Sequence, residues 1–524
     1  MTKLFTRVFL ALLFLGVLSS CGKKEVVEVP PGDPLVYLDV VNAVASSFDE
    51  TPDWAPLPNP MAPVDRNILT RWSPKLGFDN EWIYFDLGKV KVLSKIIIKW
   101  EQAFATEYEI LTSKDEESWR RLLLKRNGTG GTESLVFPAL RARYVKIIGL
   151  KRVKDTWGFS MWEFEMYGPR SLNPNERSVD ETEKLLKKEK EKIENALEEA
   201  KAPLTPMTPT EFHRGACYTS WMYDELQTPA SDKMLIHMKG VGIGHLAVVV
   251  PTYQEDITSE TIYVDDHKDA DTPSVASIEH AIGIAHKLGM KVMLKPHVDC
   301  RDDTPRMEIV ASDKWFDSYE EMVLRYARLA EKNKVELFSV GTELEGTTFS
   351  RWEARWRQVV EKVRAVYSGY LVYSANWTEY KSVPFWDMMD FIGIDAYFPL
   401  ADNMNPDQDE LIKEWERIAS EIEEWLNEIE LDKGIIFTEV GYPSSDGAAQ
   451  KPWAQFTKEE DQKEQSDCYE AVLSVMCRKA YFRGMYIWQY LPQDRWSPLG
   501  FTIKDKLAES ILSEWYKKKE LGGK

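Results

Sequence analysis

Short apolar runs alternate with amphipathic segments from residue 212 to the C-terminus. The amphipathic segments, such as 274–287, 319–331 and 508–517, have the spacing of helices that bury one side. Apolar runs between helices are typical of buried parallel strands, which need crossover connections. The predicted strands are 215–221, 245–251, 291–298, 335–343, 370–376, 391–397, 434–441 and 485–490. Eight such units predict a closed (β/α)8 barrel, or TIM barrel, over residues 211–524.

The pattern is different before residue 170, where no segment has helical periodicity. Strand-like runs between turn signals lie at 82–88, 96–101, 108–112, 144–148 and 164–167. Residues 35–170 are therefore predicted to form a β-sandwich of the jelly-roll type.

A charged segment separates these two regions, and we assign residues 171–210 to a linker. Within it, residues 183–200 carry charges of both signs, which is typical of a solvated helical spacer. Its apolar residues are Leu185, Leu186, Ile193 and Leu197. This stripe is short for a coiled-coil dimer, which is the alternative, so a monomer is expected.

Two glutamates end predicted strands of the barrel. Counting from residue 212 places Glu343 at the end of the fourth strand and Glu439 at the end of the seventh. Side chains alternate along a strand, so Gly341 and Glu343 share one face, as do Phe437 and Glu439. Both carboxyl groups are therefore expected in the mouth of the barrel, where enzymes with this fold carry their chemistry.

Paired carboxyl groups in this place indicate a glycosidase. Two carboxyls about 5 Å apart retain the anomeric configuration, because one attacks the sugar while the other protonates the leaving oxygen. Buried carboxylates without such a role would be costly, which favours catalysis over a structural role. Glu345 has the same parity as Glu343 and is the alternative acid, but the strand is expected to end before it.

Other polar residues near the predicted strand ends are candidates for binding a sugar. Lys295, His297 and Asp299 share one face of the third strand, although such a run also suits a polar network that satisfies itself. Tyr397 shares parity with Asp395 and is expected beside the second glutamate, where a phenol would keep a nucleophile ionised.

Further candidates come from residues that follow other strands. They are Trp221, Asn376, Trp377 and Trp488. The tryptophans are candidate stacking platforms for a sugar ring, and they are equally compatible with positions in the core.

Composition narrows the function class. The 524 residues include 66 basic and 85 acidic side chains, and the net charge of −19 opposes nucleic-acid binding. Aromatic residues make up 12% of the chain, including 19 Trp, and flat rings suit the CH-rich faces of sugars. No nucleotide or flavin motif is evident and the His residues form no metal pattern, so no cofactor is expected for catalysis.

The first residues combine a basic start with an apolar stretch over 8–18 that is too short for a permanent membrane span. Together with Leu18-Ser-Ser-Cys21, the segment resembles a bacterial lipoprotein signal with its lipobox. The resemblance implies cleavage before Cys21, a lipid anchor on that cysteine, and a polar tether over 22–34. It also implies a place in the bacterial cell envelope, at the outer membrane or the cell surface. An ordinary secretory signal peptide is the alternative.

The region 35–170 contains several motifs of one family. They are Asp65-Arg-Asn-Ile-Leu-Thr-Arg-Trp72, Asp86-Leu-Gly88, Ser113-Lys-Asp115 with Trp119, Arg143-Tyr-Val145 and Trp157-Gly-Phe-Ser-Met-Trp-Glu-Phe-Glu-Met-Tyr-Gly168. The region resembles the discoidin-type family, which includes the coagulation-factor C domains and carbohydrate-binding module family 32. Many members hold a structural Ca²⁺, which takes hard oxygen ligands.

By this resemblance, the Ca²⁺ ligands would be Asp65, Asn67, Thr70, Glu163 and the carbonyl of Trp162. The alternative is that Asp65 and Glu163 cap turns and pair with Arg71 or Arg143.

The barrel region carries a second set of motifs. They are Arg214-Gly215 with Thr219-Ser-Trp221, the run from Leu288 to Asp299, Val340-Gly-Thr-Glu343, Ser374-Ala-Asn-Trp377, Ile394-Asp-Ala-Tyr397, Thr438-Glu-Val-Gly-Tyr442 and Trp488. They resemble glycoside hydrolase family 113, a member of clan A with recognised activity on β-1,4-mannans. The resemblance implies that Glu343 is the acid/base and Glu439 the nucleophile of an enzyme that cleaves β-mannosidic bonds with retention. Thr342 stands where most of the clan has an Asn that bonds the sugar 2-OH, so Thr342 is a candidate for that contact.

Two other functions stay open on the sequence alone. One is a retaining hydrolase of another β-glycan, since the residues do not separate axial from equatorial 2-OH recognition. The other is a surface lipoprotein that binds glycan without cleaving it, with the sandwich supplying the affinity.

Overall fold

The structure is a computed structural model that describes residues 27–48, 59–66, 71–101, 103–154, 157–176, 179–264, 271–455, 457–492 and 498–522, with the backbone alone at 179–183, 185 and 186. Contacts divide the chain into two compact units, a smaller one that ends at Glu183 and a larger one built mainly from Lys184 onward. Three of the residues singled out above, Cys21, Asn67 and Thr70, lie outside the described residues.

Antiparallel strands build the smaller unit, as predicted for this region. They are β1 (Leu35–Tyr37), β2 (Asn42–Ala45), β3 (Trp82–Trp100), β4 (Ala105–Ser113), β5 (Arg120–Lys125), β6 (Thr132–Arg152) and β7 (Met161–Pro169). Their order is β1-β7-β3-β6-β4-β5, and β2 pairs with β3. Alternate side chains such as Ile83, Phe85 and Ile96 point into a common core.

The strands of this unit are longer and more numerous than the predicted runs, and β3 shows the difference most clearly. The runs 82–88 and 96–101 belong to a single strand of 19 residues, β3. Its pairing with β6 shifts register between Asp86 and Lys91. Such irregularities bend a strand, so one strand serves where the sequence pattern suggests two.

Eight parallel strands close a barrel in the larger unit, which confirms the predicted fold class. They are β8 (His213–Thr219), β9 (His245–Gln254), β10 (Lys291–Cys300), β11 (Leu337–Thr342), β12 (Tyr370–Asn376), β13 (Phe391–Asp395), β14 (Ile435–Val440) and β15 (Phe482–Tyr490). Each strand pairs with the next, and β15 pairs with β8 to close the ring. The carboxyl ends of all eight strands therefore open on one face.

The described α-helices are α1 (Val179–Glu199), α2 (Pro229–Val241), α3 (Val275–Lys287), α4 (Asp313–Lys332), α5 (Glu353–Arg364), α6 (Gln408–Ile429), α7 (Gln462–Met476) and α8 (Leu507–Tyr516). Residues 377–390, all described, connect β12 to β13 through a short 3-10 helix, Trp386–Met388, in place of an α-helix. The side chains of Tyr380 and Trp386 are buried there and cover the barrel instead. Among the described residues, no helix combines the length and apolar character needed to cross a bilayer.

Helix α1 packs on the larger unit through its C-terminal half. Ile193 and Leu197 are buried in the hydrophobic core that also covers the barrel strands. On the polar side, Glu189 pairs with Lys233 of α2 at 2.6 Å. The segment predicted as a solvated spacer is therefore partly fixed to the barrel, because two of its apolar residues meet a complementary surface.

A polar cluster lies at the amino-terminal end of the barrel strands. The His213 and His245 rings stack with centroids 4.4 Å apart, and Glu211 accepts hydrogen bonds from His245 at 2.8 Å and from Lys291 at 2.5 Å. The sequence did not predict this grouping of two His and a Glu, whose ligand atoms lie close enough to suggest a metal. Stacked imidazoles cannot aim both lone pairs at one ion, and Lys291 already neutralises Glu211. We therefore assign the cluster a structural role.

Candidate active site

Both glutamates lie at the carboxyl face of the barrel, on the fourth and seventh strands. Glu439 belongs to β14, whereas Glu343 follows the last residue of β11. The backbone of Glu343 is left-handed, with φ of 51°, and its amide donates to the carbonyl of Ser374 at 2.8 Å. One carboxyl group thus projects from a regular strand and the other from a turn just past a strand.

Glu439 lies within a buried group of charged and polar side chains. Lys295 Nζ lies 3.0 Å from Asp395 Oδ1 and also contacts Glu439 Oε1. Tyr397 donates its hydroxyl to Glu439 Oε2 at 2.7 Å. His297 Nε2 lies 3.5 Å from Glu439 Oε1. Lys295 and Asp395 have no exposed surface, so the cation and the carboxylates must balance one another.

The charge of Lys295 can balance only one of its two acidic neighbours. Burial alone would raise the pKa of Glu439, but the charge of Lys295, helped by the His297 ring 3.5 Å away, outweighs it and holds that pKa well below its usual range. Burial, followed by the charge of Glu439, raises the pKa of Asp395 well above its ordinary value. Glu439 is therefore the carboxyl that stays ionised.

Glu343 has the opposite environment. Asn376 Nδ2 donates to its Oε1 at 3.1 Å, and Arg306 Nη1 lies 3.5 Å from its Oε2. Burial raises the pKa of Glu343 to about 7; Arg306 opposes this shift and the negative charge of Glu439 adds to it. Near neutral pH, Glu343 can therefore hold a proton while Glu439 is ionised. Two carboxyls with pKa values pushed apart can divide the acid and base roles between them.

Arg306 connects the predicted residues of the third strand to Glu343. Its Nη1 donates to His297 Nδ1 at 2.8 Å, and its Nη2 donates to Asp299 Oδ1 at 2.6 Å. Burial, with the charge of Arg306, lowers the pKa of His297 to about 4, so the imidazole is neutral. Arginine can only donate, so Nδ1 accepts and Nε2 carries the hydrogen. Among the described residues this N–H has no hydrogen-bond partner of good geometry, which leaves it available to a ligand hydroxyl near Glu439.

Thr342 and Asn376 differ in whether they contact the Glu343 carboxyl group. Thr342 is buried, and its hydroxyl donates to the carbonyl of Pro296 at 3.3 Å. The hydroxyl thus already has a main-chain acceptor on the neighbouring strand. Asn376, in contrast, touches Glu343 directly. Glu345, the alternative acid, accepts a hydrogen bond from Thr378 at 2.9 Å and lies in the turn that follows Glu343.

Aromatic side chains flank these polar groups. Trp488 stacks on His297 with centroids 6.2 Å apart and planes 7° apart. Trp377 stacks on Trp453 at 5.9 Å and 20°, and 48% of Trp453 is exposed. Trp221, just past the end of β8, is half-buried. Trp453, backed by the partly buried Trp377, gives the barrel mouth a flat aromatic surface.

Sequence reasoning missed three residues of this face: Arg306, Trp453 and Glu379. All three lie in loops that follow strands, where no periodicity marks them. Glu379 is fully buried. The sequence did carry a signal for it, because an acidic residue three positions after Asn376 is a common partner in a turn. Trp453 had only its exposure as a signal, which a sequence does not report.

The candidate cation site in the smaller unit is partly described. Glu163 is 1% exposed, and neither of its carboxylate oxygens has a hydrogen-bond partner among the described residues. Burial raises the pKa of Glu163 to about 8, and the charge of Asp65 adds to the rise. Trp162 is the extra residue where β7 shifts register against β3, a place where backbone carbonyls leave the ladder.

The alternative partners of these acids are engaged elsewhere. Arg71 pairs with Glu101 at 3.0 Å, and Arg143 pairs with Asp86 at 2.9 Å. A buried carboxylate next to a second acid suits a hard cation such as Ca²⁺. The described residues therefore fit a cation better than an arginine pair.

A closed parallel barrel with two carboxyls of opposite pKa shift at its carboxyl face has the architecture of a glycoside hydrolase. The chain belongs to Glycoside Hydrolase Family 113, whose family model matches residues 219–497, and an F5/8 type C domain model matches residues 42–164. Both predicted families are thereby confirmed, and the protein is a glycoside hydrolase with a discoidin-like domain.

Solved structures agree with this assignment. A GH113 β-1,4-mannanase is 25% identical and aligns over 59% of this chain and 100% of its own, with a TM-score of 0.53. The GH113 β-mannanase AaManA from Alicyclobacillus acidocaldarius is 27% identical over 58% of this chain and 97% of its own, with a TM-score of 0.52.

A curated relative matches a shorter part of the chain. It is the polysaccharide lyase 8 family protein HylA from Enterococcus faecalis, which is 32% identical over 137 residues. The match covers 25% of this chain, and the chain spans about a tenth of the length of that relative.

Lys295→Gln is expected to destabilise the larger unit by about 3 kcal/mol, because it leaves two buried carboxyls without their cation. The loss should be smaller in acid, where protonation of Asp395 and Glu439 removes the unpaired charge. Urea unfolding at two pH values measures both effects. As the matched control, Lys463→Gln removes an exposed lysine paired with Asp467 and should change stability by less than about 0.5 kcal/mol. Equal stability of Lys295→Gln and the parent would contradict the role of this cation.

Proposed function

We propose that this protein is a retaining β-mannanase in which Glu439 is the nucleophile and Glu343 the acid/base. The observation that carries the proposal is the contrast between the two glutamates: one is ionised beside Lys295, and the other can hold a proton near neutral pH. A retaining mechanism needs this division, together with a separation of about 5 Å between the carboxyls.

In the first step, a Glu439 oxygen attacks the anomeric carbon while the bond to the leaving oxygen breaks. Glu343 gives its proton to that oxygen, which leaves as a hydroxyl. The product is a glycosyl ester on Glu439. In the second step, ionised Glu343 takes a proton from water, whose oxygen attacks the anomeric carbon and releases the Glu439 carboxylate.

Neighbouring side chains support each step. Tyr397 and Lys295 donate to the Glu439 carboxylate and would stabilise it again when the ester is hydrolysed. The pKa of Glu343 would fall once Glu439 is esterified, because the negative charge that raises it is gone. Glu343 is then a base when a base is needed.

The mannan substrate is supported by the two family members described above, which are β-mannanases. Trp488, the neutral His297 and Asp299 are the proposed contacts of the cleaved sugar. The stacked Trp377 and Trp453 are proposed to bind a more distant sugar of the chain, since exposed indole faces suit pyranose rings. Polymeric substrate is therefore favoured over a single sugar.

Glu439→Gln is expected to abolish release of reducing ends from β-1,4-mannan, whereas Glu345→Gln should retain at least about half of the parent activity. The activity of Glu439→Gln should fall at least about 1,000-fold, since the neutral amide cannot attack the anomeric carbon.

The activity of the parent should fall as the pH rises above about 7, when Glu343 loses the proton it donates.

β-1,4-Glucan is the comparison substrate. Cleavage of glucan alone would keep the mechanism and change the substrate class. Failure of the parent on both polymers would favour a surface glycan-binding protein without turnover. Full activity of Glu439→Gln would contradict the assigned nucleophile.

We further propose that the smaller unit holds a structural Ca²⁺ through Asp65, Glu163 and the Trp162 carbonyl, with Asn67 and Thr70. The cation would neutralise Glu163, whose buried carboxylate oxygens have no hydrogen-bond partner in the described part of the chain. The proposed role of the unit is to bind carbohydrate.

Calcium is expected to raise the midpoint of one thermal transition of the full chain. At a concentration 100 times its dissociation constant, the gain is about 2.7 kcal/mol. Glu163→Gln should remove the response to Ca²⁺, while Glu165→Gln, on the same strand, should keep it. Calorimetry with EGTA and with Ca²⁺ measures the difference. An identical midpoint in both buffers would exclude the ion.

Residues 1–21 are proposed to direct lipid attachment at Cys21, which would anchor the mature chain in the bacterial cell envelope. The full chain expressed in a bacterium is expected to partition into the detergent phase of a cloud-point extraction, and Cys21→Ser into the aqueous phase, because the acyl chains are the only anchor in this proposal. Cys300→Ser serves as the control. Aqueous partition of the parent would favour an ordinary secretory signal.

A further inference from the structure

Glu379 is a buried carboxyl beside the proposed acid/base, and the proposed reaction does not use it. It follows β12 and has no exposed surface. Its Oε1 accepts hydrogen bonds from Thr348 at 2.7 Å and from Tyr373 at 2.8 Å. Its Oε2 accepts from the amide of Asn376 at 3.1 Å. Three neutral donors, and no basic side chain among the described residues, surround this carboxylate.

The first connection leads from Glu379 to the backbone of Glu343. A left-handed φ is unfavourable for a glutamate and persists only where neighbouring contacts hold it. The following amide, Leu344 N–H, donates to the Tyr373 hydroxyl at 3.0 Å. Tyr373 in turn donates to Glu379, so the carboxylate fixes the direction of the hydroxyl that holds this turn.

The second connection leads to the Glu343 carboxyl group. The backbone amide of Asn376 donates to Glu379, and the side-chain Nδ2 of Asn376 donates to Glu343 Oε1. The backbone amide of Thr378 donates to Asn376 Oδ1 at 3.2 Å, which orients the side-chain amide. One buried carboxylate is thus linked to both the backbone and the side chain of Glu343.

We infer that Glu379 is a positioning residue for the acid/base: through Tyr373 and Asn376 it holds Glu343 in its left-handed turn with its carboxyl directed at the leaving oxygen. This inference rests on the proposed function, because it assumes that Glu343 donates the proton. Glu379 does not touch the substrate in this account.

Electrostatics supports the geometric argument. Burial raises the pKa of Glu379 to about 7, and its charge contributes to the raised pKa of Glu343. Removing that charge should lower the pKa of Glu343 and move the alkaline limb of the activity profile to lower pH.

The test is Glu379→Gln in the full chain. Glutamine keeps the volume, but its NH₂ group cannot accept a hydrogen bond. Either the two hydroxyls or the Asn376 backbone amide therefore loses its acceptor. On mannan, kcat should fall roughly 10- to 100-fold, with KM changed less than about 3-fold, as expected when acid catalysis is impaired. On dinitrophenyl β-mannobioside, kcat/KM should fall less than about 3-fold, because it reports only the first step, in which this leaving group departs without a proton.

Two further variants sharpen the test. Tyr373→Phe keeps the ring and removes only the hydroxyl, so activity should again fall selectively on mannan, but by a smaller factor. This variant also provides the test if Glu379→Gln does not fold. Glu509→Gln is the matched control, because Glu509 is also buried and accepts from a tyrosine hydroxyl, Tyr490, away from the glutamates. Glu509→Gln should leave the ratio of kcat/KM on mannan to kcat/KM on dinitrophenyl β-mannobioside unchanged.

Equal losses on both substrates, or no loss on either, would overturn the inference. Failure of the proposed function is separable, because an infrared titration of the Glu343 carboxyl, assigned with Glu343→Gln, needs no turnover. Glu379→Gln should shift that titration to lower pH even if mannan is not the substrate. An unshifted titration would overturn the inference whatever the activity.

Discussion

The pairing of one buried lysine with two carboxyls is the constraint on which the barrel mouth depends. Lys295 comes from β10, Asp395 from β13 and Glu439 from β14, and neither Lys295 nor Asp395 has exposed surface. Buried charges are tolerated only when they are matched, so these three strands must keep the register that brings the groups together. The same match decides which carboxyl is ionised. The nucleophilic character proposed for Glu439 is therefore a property of the barrel and not of the residue alone.

Glu343 depends on a different kind of support. It lies past the end of β11 in a left-handed turn, with Arg306 and Asn376 at its carboxyl group. Its pKa is raised by burial, and a loop residue, Glu379, is linked to it through two hydrogen-bond routes. A regular strand thus carries the ionised group, and a strained turn carries the group proposed to gain and lose a proton. The second arrangement can respond to changes at the first, because the charge of Glu439 is one of the causes of the Glu343 shift.

Burial of apolar and charged side chains also shapes the smaller unit and the linker. Long bent strands close a sheet domain around an apolar core, and the proposed cation site rests on a buried Glu163 that has no hydrogen-bond partner among the described residues. In α1, Ile193 and Leu197 form part of the core of the larger unit. Charged segments of this kind are commonly treated as spacers. Here two apolar residues are enough to fix one end of the helix, because they lie on the side that meets the barrel.

The sequence by itself determined the barrel, the antiparallel domain and the two glutamates. Alternation of apolar runs with amphipathic segments reports local burial, and parity along a strand places Glu439 on the inward face. Parity does not place Glu343, which lies in a turn just past the end of β11. The sequence also identified Lys295, His297 and Tyr397 as neighbours of the site. Only the tertiary structure decided which groups meet. Lys295 and Asp395 are 100 residues apart, and Arg306, Glu379 and Trp453 lie in loops without periodicity. Charge state is a sum over such contacts, so it arises only when the strands and loops are assembled.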